Sequence, residues 1–372
     1  MTFIVVNFIF IILIFLISAV IARILIPRIL LISLRKKLFD IPDDRKVHKR
    51  AIPRLGGVSF FPTTLFAFCL VYTFRLLGGD SVSTLYASYL LPELLLFACG
   101  MTLLYLTGIA DDLVGVRYRQ KFVIQIFCAC LFPLSGLWIN DLYGLFGIHE
   151  LSVYVGIPFT ILTVVFITNA INLIDGIDGL ASGLSSVALL IFTFLFIEKG
   201  LWSYAMLAAG TFGVLVPFFY YNVFGSVERA RKIFMGDTGS LTLGYTLSFL
   251  AIKYSQHNAD IMPYTEGAFI IAFSTMIIPA FDVVRVVLVR IREGHSPFEP
   301  DKNHIHHKLL AIGLSPRKAK PGFFFRSVTF RSAIQSKSLF INFAIQTGEV
   351  VAVNGTIVHA QVQKFMGKSV QR

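Results

Sequence analysis

Residues 155–168 read VGIPFTILTVVFIT, and the stretch NLIDGIDGLASG follows at 172–183. The first stretch is almost wholly apolar, whereas the second carries an amide, two carboxylates and three glycines. Acids are rare inside a bilayer, so acids that follow an apolar run mark the place where a helix leaves the membrane. This junction therefore predicts a membrane-spanning helix that ends in a polar, glycine-rich loop.

The composition of the whole chain agrees with this interpretation. Of its 372 residues, 56% are hydrophobic and only 15% are charged, and long apolar stretches recur. A soluble domain carries about 25% charged residues, and roughly 20 apolar residues suffice for one crossing. We therefore predict an all-α, polytopic membrane bundle of about nine transmembrane helices. The predicted spans are 3–33, 57–77, 86–109, 122–139, 153–173, 180–198, 201–224, 239–254 and 264–289.

The basic residues are distributed unevenly between the loops. The formal net charge is +12, and Lys and Arg concentrate in the loops 35–54, 111–121, 225–237 and 290–308. By the positive-inside rule these loops are cytoplasmic, which places the N-terminus outside. We expect the charge to contact the lipid bilayer and not nucleic acid. No basic region precedes the first apolar run, which we interpret as a span and not a cleaved signal.

Polar motifs from four loops all fall on this predicted cytoplasmic side. They contain acids, amides and histidines, although none of these was used to assign the sidedness. The residues concerned are Asp111, Asp112, Asn172, Asp175, Asp178, Asn222, Asp237, His304, His306 and His307.

Acids that converge from separate loops favour a hard cation. Mg²⁺ takes oxygen ligands and is commonly held by one or two carboxylates together with substrate phosphates. Glycines beside the acids let a phosphate approach the backbone closely, and Lys121 with the loop arginines can neutralise further phosphate charge. Together these groups predict phosphoryl transfer at a membrane surface, with a lipid as one substrate.

Each motif also has a simpler interpretation. A single Asp at a span end is more often a solvated flank. GDTGS at 236–240 suits a turn and a helix cap, and Gly56–Gly57 suits flexibility at a helix entry. DDLVG at 111–115 lacks the third Asp of a DDxxD prenyl-diphosphate site, and the histidines have no matching pair for zinc. We expect the cysteines to be small buried hydrophobic residues with no disulfide or metal: Cys69, Cys99, Cys128 and Cys130.

Four motifs resemble those of a known enzyme family. They are GIADD at 108–112 with Lys121, NAINLIDGIDGLASG at 169–183, FMGDTGSLTLG at 234–244 and HIHHKLL at 304–310. They are similar to the polyprenyl-phosphate N-acetylhexosamine-1-phosphate transferases, the MraY/WecA-like glycosyltransferase 4 family. The resemblance runs from about residue 45 to 316. It implies transfer of a sugar-1-phosphate from a UDP-N-acetylhexosamine to undecaprenyl phosphate, with Mg²⁺ (Mn²⁺ as a substitute) and release of UMP.

The resemblance also implies roles for particular residues. Asp111 and Asp112 would serve the lipid-phosphate nucleophile, with Lys121 as a third catalytic residue. Asp237 and Asp175 would hold the metal. The implied substrate-binding residues are Asn172, Asp175, Asp178, Asn222, Arg290, Arg292, His304, His306 and His307. The family further implies the bacterial plasma membrane and makes a homodimer plausible.

The last basic loop indicates a branch of the family. HIHHKLL follows SPFEPDKN at 296–303, whereas the phospho-MurNAc-pentapeptide branch usually carries three consecutive histidines followed by Phe-Glu. The loop is similar to the branch that starts O-antigen, enterobacterial common antigen, teichoic acid or capsule synthesis, which implies UDP-N-acetylglucosamine as donor. Arg290 and Arg292 lie where that branch uses basic residues near the sugar.

Residues 319–372 depart from the family pattern. Apart from SLFINFAI at 338–345 they are too polar to cross a membrane, and VVAVNGTIVHAQV at 350–362 predicts a hairpin about an Asn-Gly turn. We predict a transferase domain at 1–318, followed by either an appended or a frame-shifted segment.

Two other functions stay open on the residues alone. DGIDGLASG at 175–183 has a passing likeness to CDP-alcohol phosphatidyltransferases, but no Arg follows the Ala and the spaced trailing acids are missing. A cation or sugar transporter would place its polar site near the bilayer midplane. Asp282, with Arg285 one turn away, is the only acid well inside a span, whereas the other acids lie at the rim, which weighs against transport.

Overall fold

The computed structural model describes residues 2–36, 38–40, 52–78, 87–176, 178–227, 229–258 and 261–292. The domain boundary at residue 318, the tail and its hairpin lie outside these residues and stay predictions. The three histidines of the last basic loop also lie outside them: His304, His306 and His307.

The described chain is mainly helical, as the apolar composition predicts. The α-helices are α1 (Thr2–Arg35), α2 (Phe60–Leu77), α3 (Ala87–Val114), α4 (Tyr118–Leu134), α5 (Val153–Ile174), α6 (Leu180–Glu198), α7 (Trp202–Val223), α8 (Gly236–Ser255), α9 (Ala268–Ser274) and α10 (Ile277–Arg292). A short 3₁₀ helix, Leu55–Ser59, precedes α2. The described residues also contain two antiparallel strand pairs, β1 (Phe39–Asp40) with β2 (Ile52–Pro53) and β3 (Asp141–Leu145) with β4 (Ile148–Glu150).

Each of the nine predicted spans overlaps at least one helix in the structure, which confirms the all-α, polytopic architecture, whereas the number of spans stays a prediction. Among the described residues, six helical segments are long and apolar enough to cross a membrane, namely α1, α2 with its preceding 3₁₀ helix, α3, α5, α6 and α7. The predicted span 264–289 is not one straight helix, because α9 and α10 are bent by 74° at the break between them. Of the other two, α4 has only 17 residues and α8 is comparatively polar.

The helix α8 is polar because protein surrounds it. Every residue from Thr238 to Ser255 is buried. Small residues let its neighbours approach closely, as is common where membrane helices meet. A Cβ at Gly244 would lie 2.7 Å from the Cα of Thr168, and a Cβ at Gly100 would lie 2.1 Å from the hydroxyl of Tyr245. This central position brings the start of α8 into contact with several other helices.

A buried ion pair lies near the far end of α8. Lys253 Nζ donates to Glu93 Oε1 at 2.8 Å, and the hydroxyl of Tyr204 donates to the other oxygen of Glu93. Lys253 is 1% exposed and Glu93 is 5% exposed. Ionisable groups inside a membrane bundle need such partners, and the hydropathy pattern did not reveal that these two residues meet. The prediction that Asp282 is the only acid well inside a span is wrong, because Glu93 lies within α3 and within the predicted span 86–109.

The expectation of four buried cysteines is confirmed only for Cys128, because Cys130 is half-buried and the other two are exposed. Cys69 and Cys99 are exposed on the surface of the bundle, whereas Cys128 is buried, and all four thiols are free. A small apolar side chain packs equally well against lipid and against the protein interior, because lipid tails are as apolar as Leu. An apolar neighbourhood in the sequence therefore does not distinguish the two sides.

Candidate active site

Six helix ends meet at one end of the bundle and carry the polar motifs. The C-termini of α3, α5 and α7 meet the N-termini of α4, α6 and α8 there. Hydrogen bonds or electrostatic interactions connect the following predicted site residues with one another or with the neighbouring helix ends: Asp111, Asp112, Lys121, Asn172, Asp175, Asp178, Asn222 and Asp237.

The side chain of Lys121 joins two carboxylates from different helices. Its Nζ, at the start of α4, donates to Asp111 Oδ2 at 3.1 Å and to Asp237 Oδ2. Asn172, at the end of α5, donates to the other oxygen of Asp237 at 2.9 Å and to Ser240 Oγ at 2.8 Å. The carboxylate of Asp237 is therefore held between a cation and an amide that come from two neighbouring helices.

The adjacent carboxylate, Asp112, caps the start of α8. Its Oδ1 accepts the backbone N–H of Asp237 at 2.8 Å, and its Oδ2 accepts the N–H of Thr238 at 3.0 Å and the hydroxyl at 2.6 Å. The first N–H groups of a helix lack partners within the helix, and a negative charge there interacts favourably with the helix dipole. GDTGS is thus a turn and helix start, as its simpler interpretation held, but the cap comes from α3.

Glycines allow the segments at this end to approach one another. Gly236 has φ +75°, and a Cβ there would lie 2.1 Å from the carbonyl oxygen of Arg54. A Cβ at Gly57 would lie 2.1 Å from the Cα of Gly239, and the N–H of Gly57 donates to the carbonyl of Met235 at 2.7 Å. The interpretation of Gly56–Gly57 as flexibility is therefore wrong, because both residues are buried in close backbone contact.

A second polar group connects the start of α6 with the segment before α8. Lys232 Nζ donates to Asp178 Oδ2, and Asp178 Oδ1 is buried without a hydrogen-bond partner among the described residues. Asn222 accepts the N–H of Gly179 at 2.6 Å and donates to the carbonyl of Ile233 at 2.9 Å. Lys232 was not among the predicted site residues, although its place in the basic loop, five residues before Asp237, is a signal in the sequence.

The two metal-ligand candidates have pKa values displaced in opposite directions. Burial raises the pKa of Asp237, but a hydrogen bond shared with Asp111 and the charge of Lys121 outweigh it and lower the pKa to about 2. Burial, followed by the negative charges of Asp237, Asp112 and Asp178, raises the pKa of Asp175 well above its usual value. Asp237 is thus ionised throughout the neutral range, whereas the charge on Asp175 is costly without a nearby cation.

The structure does not bring every predicted site residue into this network. Arg292 is exposed at the end of α10, and the side chain of Arg290 lies outside the described part. Earlier in α10, Arg285 Nη2 donates to Asp282 Oδ1 at 2.8 Å, which confirms the predicted pairing of Asp282 with Arg285.

Comparison with known proteins identifies the family of this chain. The family model described as glycosyl transferase family 4 matches residues 94–255. A Yersinia pestis protein named undecaprenyl-phosphate alpha-N-acetylglucosaminyl 1-phosphate transferase is 31% identical over 295 residues, which are 77% of this chain and 73% of that protein. The chain belongs to glycosyl transferase family 4. The family predicted from the motifs is thereby confirmed.

Two further relatives are similar to this chain to the same degree. The Bacillus subtilis (strain 168) protein named "Probable undecaprenyl-phosphate N-acetylglucosaminyl 1-phosphate transferase" is 31% identical over 322 residues, 84% of this chain and 83% of that protein. The Escherichia coli (strain K12) protein with the same name as the Yersinia relative is 30% identical over 296 residues, 77% of this chain and 73% of that protein. The segment matched by the family model contains Asp111, Lys121 and Asp237, and it ends before α9 and α10.

Proposed function

We propose that this family 4 member transfers N-acetylglucosamine-1-phosphate from UDP-N-acetylglucosamine to undecaprenyl phosphate. An oxygen of the lipid phosphate bonds to the β-phosphorus of the donor, the bond from that phosphorus to the bridging oxygen breaks, and UMP leaves with the electron pair. The observation that carries the proposal is the convergence of Asp111, Lys121 and Asp237 at one end of a membrane bundle. The names of the relatives support the lipid acceptor and the sugar. The reaction would be the first membrane step of cell-envelope polysaccharide synthesis.

The residues of the site suit a reaction in which positioning and charge stabilisation dominate. Lys121 offers a positive charge beside two carboxylates and would neutralise phosphate oxygens of the donor. A phosphate monoester has its second pKa near 6, so much of the lipid phosphate is already dianionic at neutral pH. Both oxygens of Asp111 are engaged, one by Lys121 and the other by the N–H of Val116 at 2.6 Å. This arrangement supports a positioning role for Asp111 more than a role as proton acceptor.

We propose Mg²⁺ as the cofactor, with Asp237 and Asp175 as its ligands and Mn²⁺ as a substitute. The low pKa of Asp237 provides an ionised oxygen ligand, and the raised pKa of Asp175 reflects negative charge that a cation would relieve. Among the described residues no three His, Cys, Asp or Glu side chains are arranged to hold one metal ion. Proteins nevertheless commonly bind Mg²⁺ through only one or two carboxylates, because water molecules and substrate phosphates provide the other ligands. When bound, the ion would stabilise charge on the transferring phosphoryl group.

We further propose that the site faces the cytoplasm of a bacterial plasma membrane and that the N-terminus lies outside. Support comes from the basic residues at the site end of the bundle, because cytoplasmic loops carry an excess of Lys and Arg. They include Arg35, Lys36, Arg117, Arg119, Lys121, Arg229, Arg231 and Lys232.

The decisive experiment measures UMP release by the purified full chain in lipid nanodiscs. UDP-N-acetylglucosamine and undecaprenyl phosphate are supplied together, with each substrate or Mg²⁺ left out in turn. We expect equal amounts of UMP and glycolipid, formed only when both substrates and Mg²⁺ are present. A panel of UDP-N-acetylhexosamines tests the sugar. UMP release that does not need the lipid phosphate would contradict the proposal.

A further inference from the structure

We propose that Gln125 in α4 and Asn169 in α5 form a positioning pair that sets the register between these helices. This register holds Lys121 and Asn172 against Asp237. The kinetic part of the inference rests on the proposed transferase function, whereas the pairing and its effect on Lys121 do not.

The two side chains form a reciprocal amide pair. Asn169 Nδ2 donates to Gln125 Oε1 at 2.5 Å, and Gln125 Nε2 donates to Asn169 Oδ1 at 3.3 Å. Asn169 Nδ2 also donates to the carbonyl of Val165 at 2.8 Å, which orients its amide within α5. Gln125 is only 3% exposed, so water does not compete for its amide.

The pair lies one helical turn away from the two side chains that hold Asp237. Gln125 follows Lys121 by four residues in α4, and Asn169 precedes Asn172 by three residues in α5. Residues at these spacings lie on the same face of a helix. The same two helix faces therefore meet first at the amide pair and then, one turn nearer the end of the bundle, at Asp237.

The pair differs from the apolar contacts around it because it is directional. Apolar packing is nearly indifferent to a small slide of one helix along another, whereas two amides bond reciprocally in one alignment. Polar groups between membrane helices find partners on each other and not in lipid. If α4 shifted relative to α5, Lys121 and Asn172 could not both keep their bonds to the two oxygens of Asp237.

A second interhelical hydrogen bond of α4 provides a matched control. The hydroxyl of Tyr245 in α8 donates to the carbonyl of Cys128 at 3.0 Å. This bond also connects α4 with another helix, but Tyr245 lies two helical turns away from Asp237 in α8 and does not contact Lys121 or Asn172 through it. Tyr245→Phe removes it and leaves the ring in place. If the amide pair had a purely structural role, its loss would change kcat no more than Tyr245→Phe does.

The first test measures kcat and KM for the full chain in nanodiscs, per mole of folded protein. Gln125→Leu and Asn169→Leu should each lower kcat about 10- to 100-fold, since misplacement of about 1 Å in an active site costs up to about 100-fold. KM for UDP-N-acetylglucosamine should change much less. The double Leu variant should be no slower than the worse single variant, because both remove one interaction. The double exchange variant Gln125→Asn with Asn169→Gln restores two amides of the same total length and should recover most of kcat. The control Tyr245→Phe should have the kcat of the unmodified chain.

The second test does not depend on activity. Lys121 is labelled with acetic anhydride, and the labelled fraction is followed by mass spectrometry. Labelling should be several-fold faster in both Leu variants than in the unmodified chain, with the exchange variant and Tyr245→Phe unchanged. Leu variants with normal kcat and normal labelling of Lys121 would overturn the inference. If the unmodified chain releases no UMP, the proposed function fails, and the labelling rates still decide whether the pair positions Lys121.

Discussion

Asp112 and Thr238 join α3 to the first turn of α8 through two hydrogen bonds to one carboxylate oxygen. The N–H of Thr238 donates at 3.0 Å and its hydroxyl at 2.6 Å. The neighbouring carboxylate, Asp111, instead accepts from Lys121 and Val116. Two consecutive aspartates thus have different partners. Asp112 binds the start of the helix that carries Asp237, and Asp111 binds Lys121, the cation beside Asp237.

This difference predicts unequal stability effects for the two aspartates. Asp112→Ala leaves three donors at the start of α8 without their acceptor and should lower the free energy of unfolding by about 1–3 kcal/mol. Asp111→Ala should lower the free energy of unfolding by less, because Lys121, the main partner of Asp111, keeps its contact with Asp237. Thermal melting of both variants in nanodiscs measures the difference, and UMP release should fall in both. Equal melting temperatures would argue against a capping role for Asp112.

The positioning role proposed for Asp111 predicts a particular pH profile. Asp111→Asn should lose rate at every pH, with only modest recovery under alkaline conditions, because the lipid phosphate is already largely dianionic at neutral pH. UMP release measured from about pH 6 to about pH 10, a range that starts near the second pKa of the lipid phosphate, tests this. Full recovery at high pH would favour a simple proton acceptor instead.

The proposed metal ligand Asp237 predicts a loss of turnover without a loss of fold. Asp237→Asn keeps the shape of the side chain but removes the charge, which should slow UMP release by about 1,000-fold or more. Ser240→Ala is the control, since it removes another partner of Asn172 and leaves the carboxylate in place. A folded Asp237→Asn protein with near-normal activity would rule out Asp237 as the ligand.

The raised pKa of Asp175 predicts a stabilising substitution. A carboxyl with a folded-state pKa above its unfolded value favours folding at low pH, and this contribution is lost as pH rises from about 4 through the raised pKa. Asp175→Asn avoids that loss and should raise the melting temperature of the metal-free protein at neutral pH, with the gain vanishing near pH 4. Melting curves in EDTA across this pH range test it. A variant that melts lower than the unmodified chain at neutral pH would contradict the electrostatic picture.

The close approach of α3 to α8 predicts that Gly108 tolerates no side chain. A Cβ there would lie 2.4 Å from the Cα of Thr238, so Gly108→Ala forces the two backbones apart. We expect a loss of about 1–3 kcal/mol in unfolding free energy and a fall in UMP release. Thr102→Ala is the control, because Thr102 lies in the same helix but is exposed. If both variants melted and reacted alike, the packing at Gly108 would not matter.

The sequence by itself determined the membrane architecture, the family and the end of the bundle where the polar motifs collect. The length of each apolar stretch and the alternation of basic loops can be read from neighbouring residues in the sequence. Each motif likewise lies within a few residues of the end of a span. The sequence also marked both Asp111 and Asp237 before any contact between them was known. Such features need only the order of residues along the chain and the thickness of a bilayer.

Only the tertiary structure decided which side chains meet. Lys121 and Asp237 are 116 residues apart, and Gln125 and Asn169 are 44 apart. Their contacts depend on how each helix is rotated about its axis and how far it slides along its neighbour. Hydropathy encodes that rotation only weakly in a membrane, because lipid tails are as apolar as the Leu side chains of the protein interior. Packing through Gly57, Gly108 and Gly244, together with directional polar bonds, selects the rotation and so brings the site together.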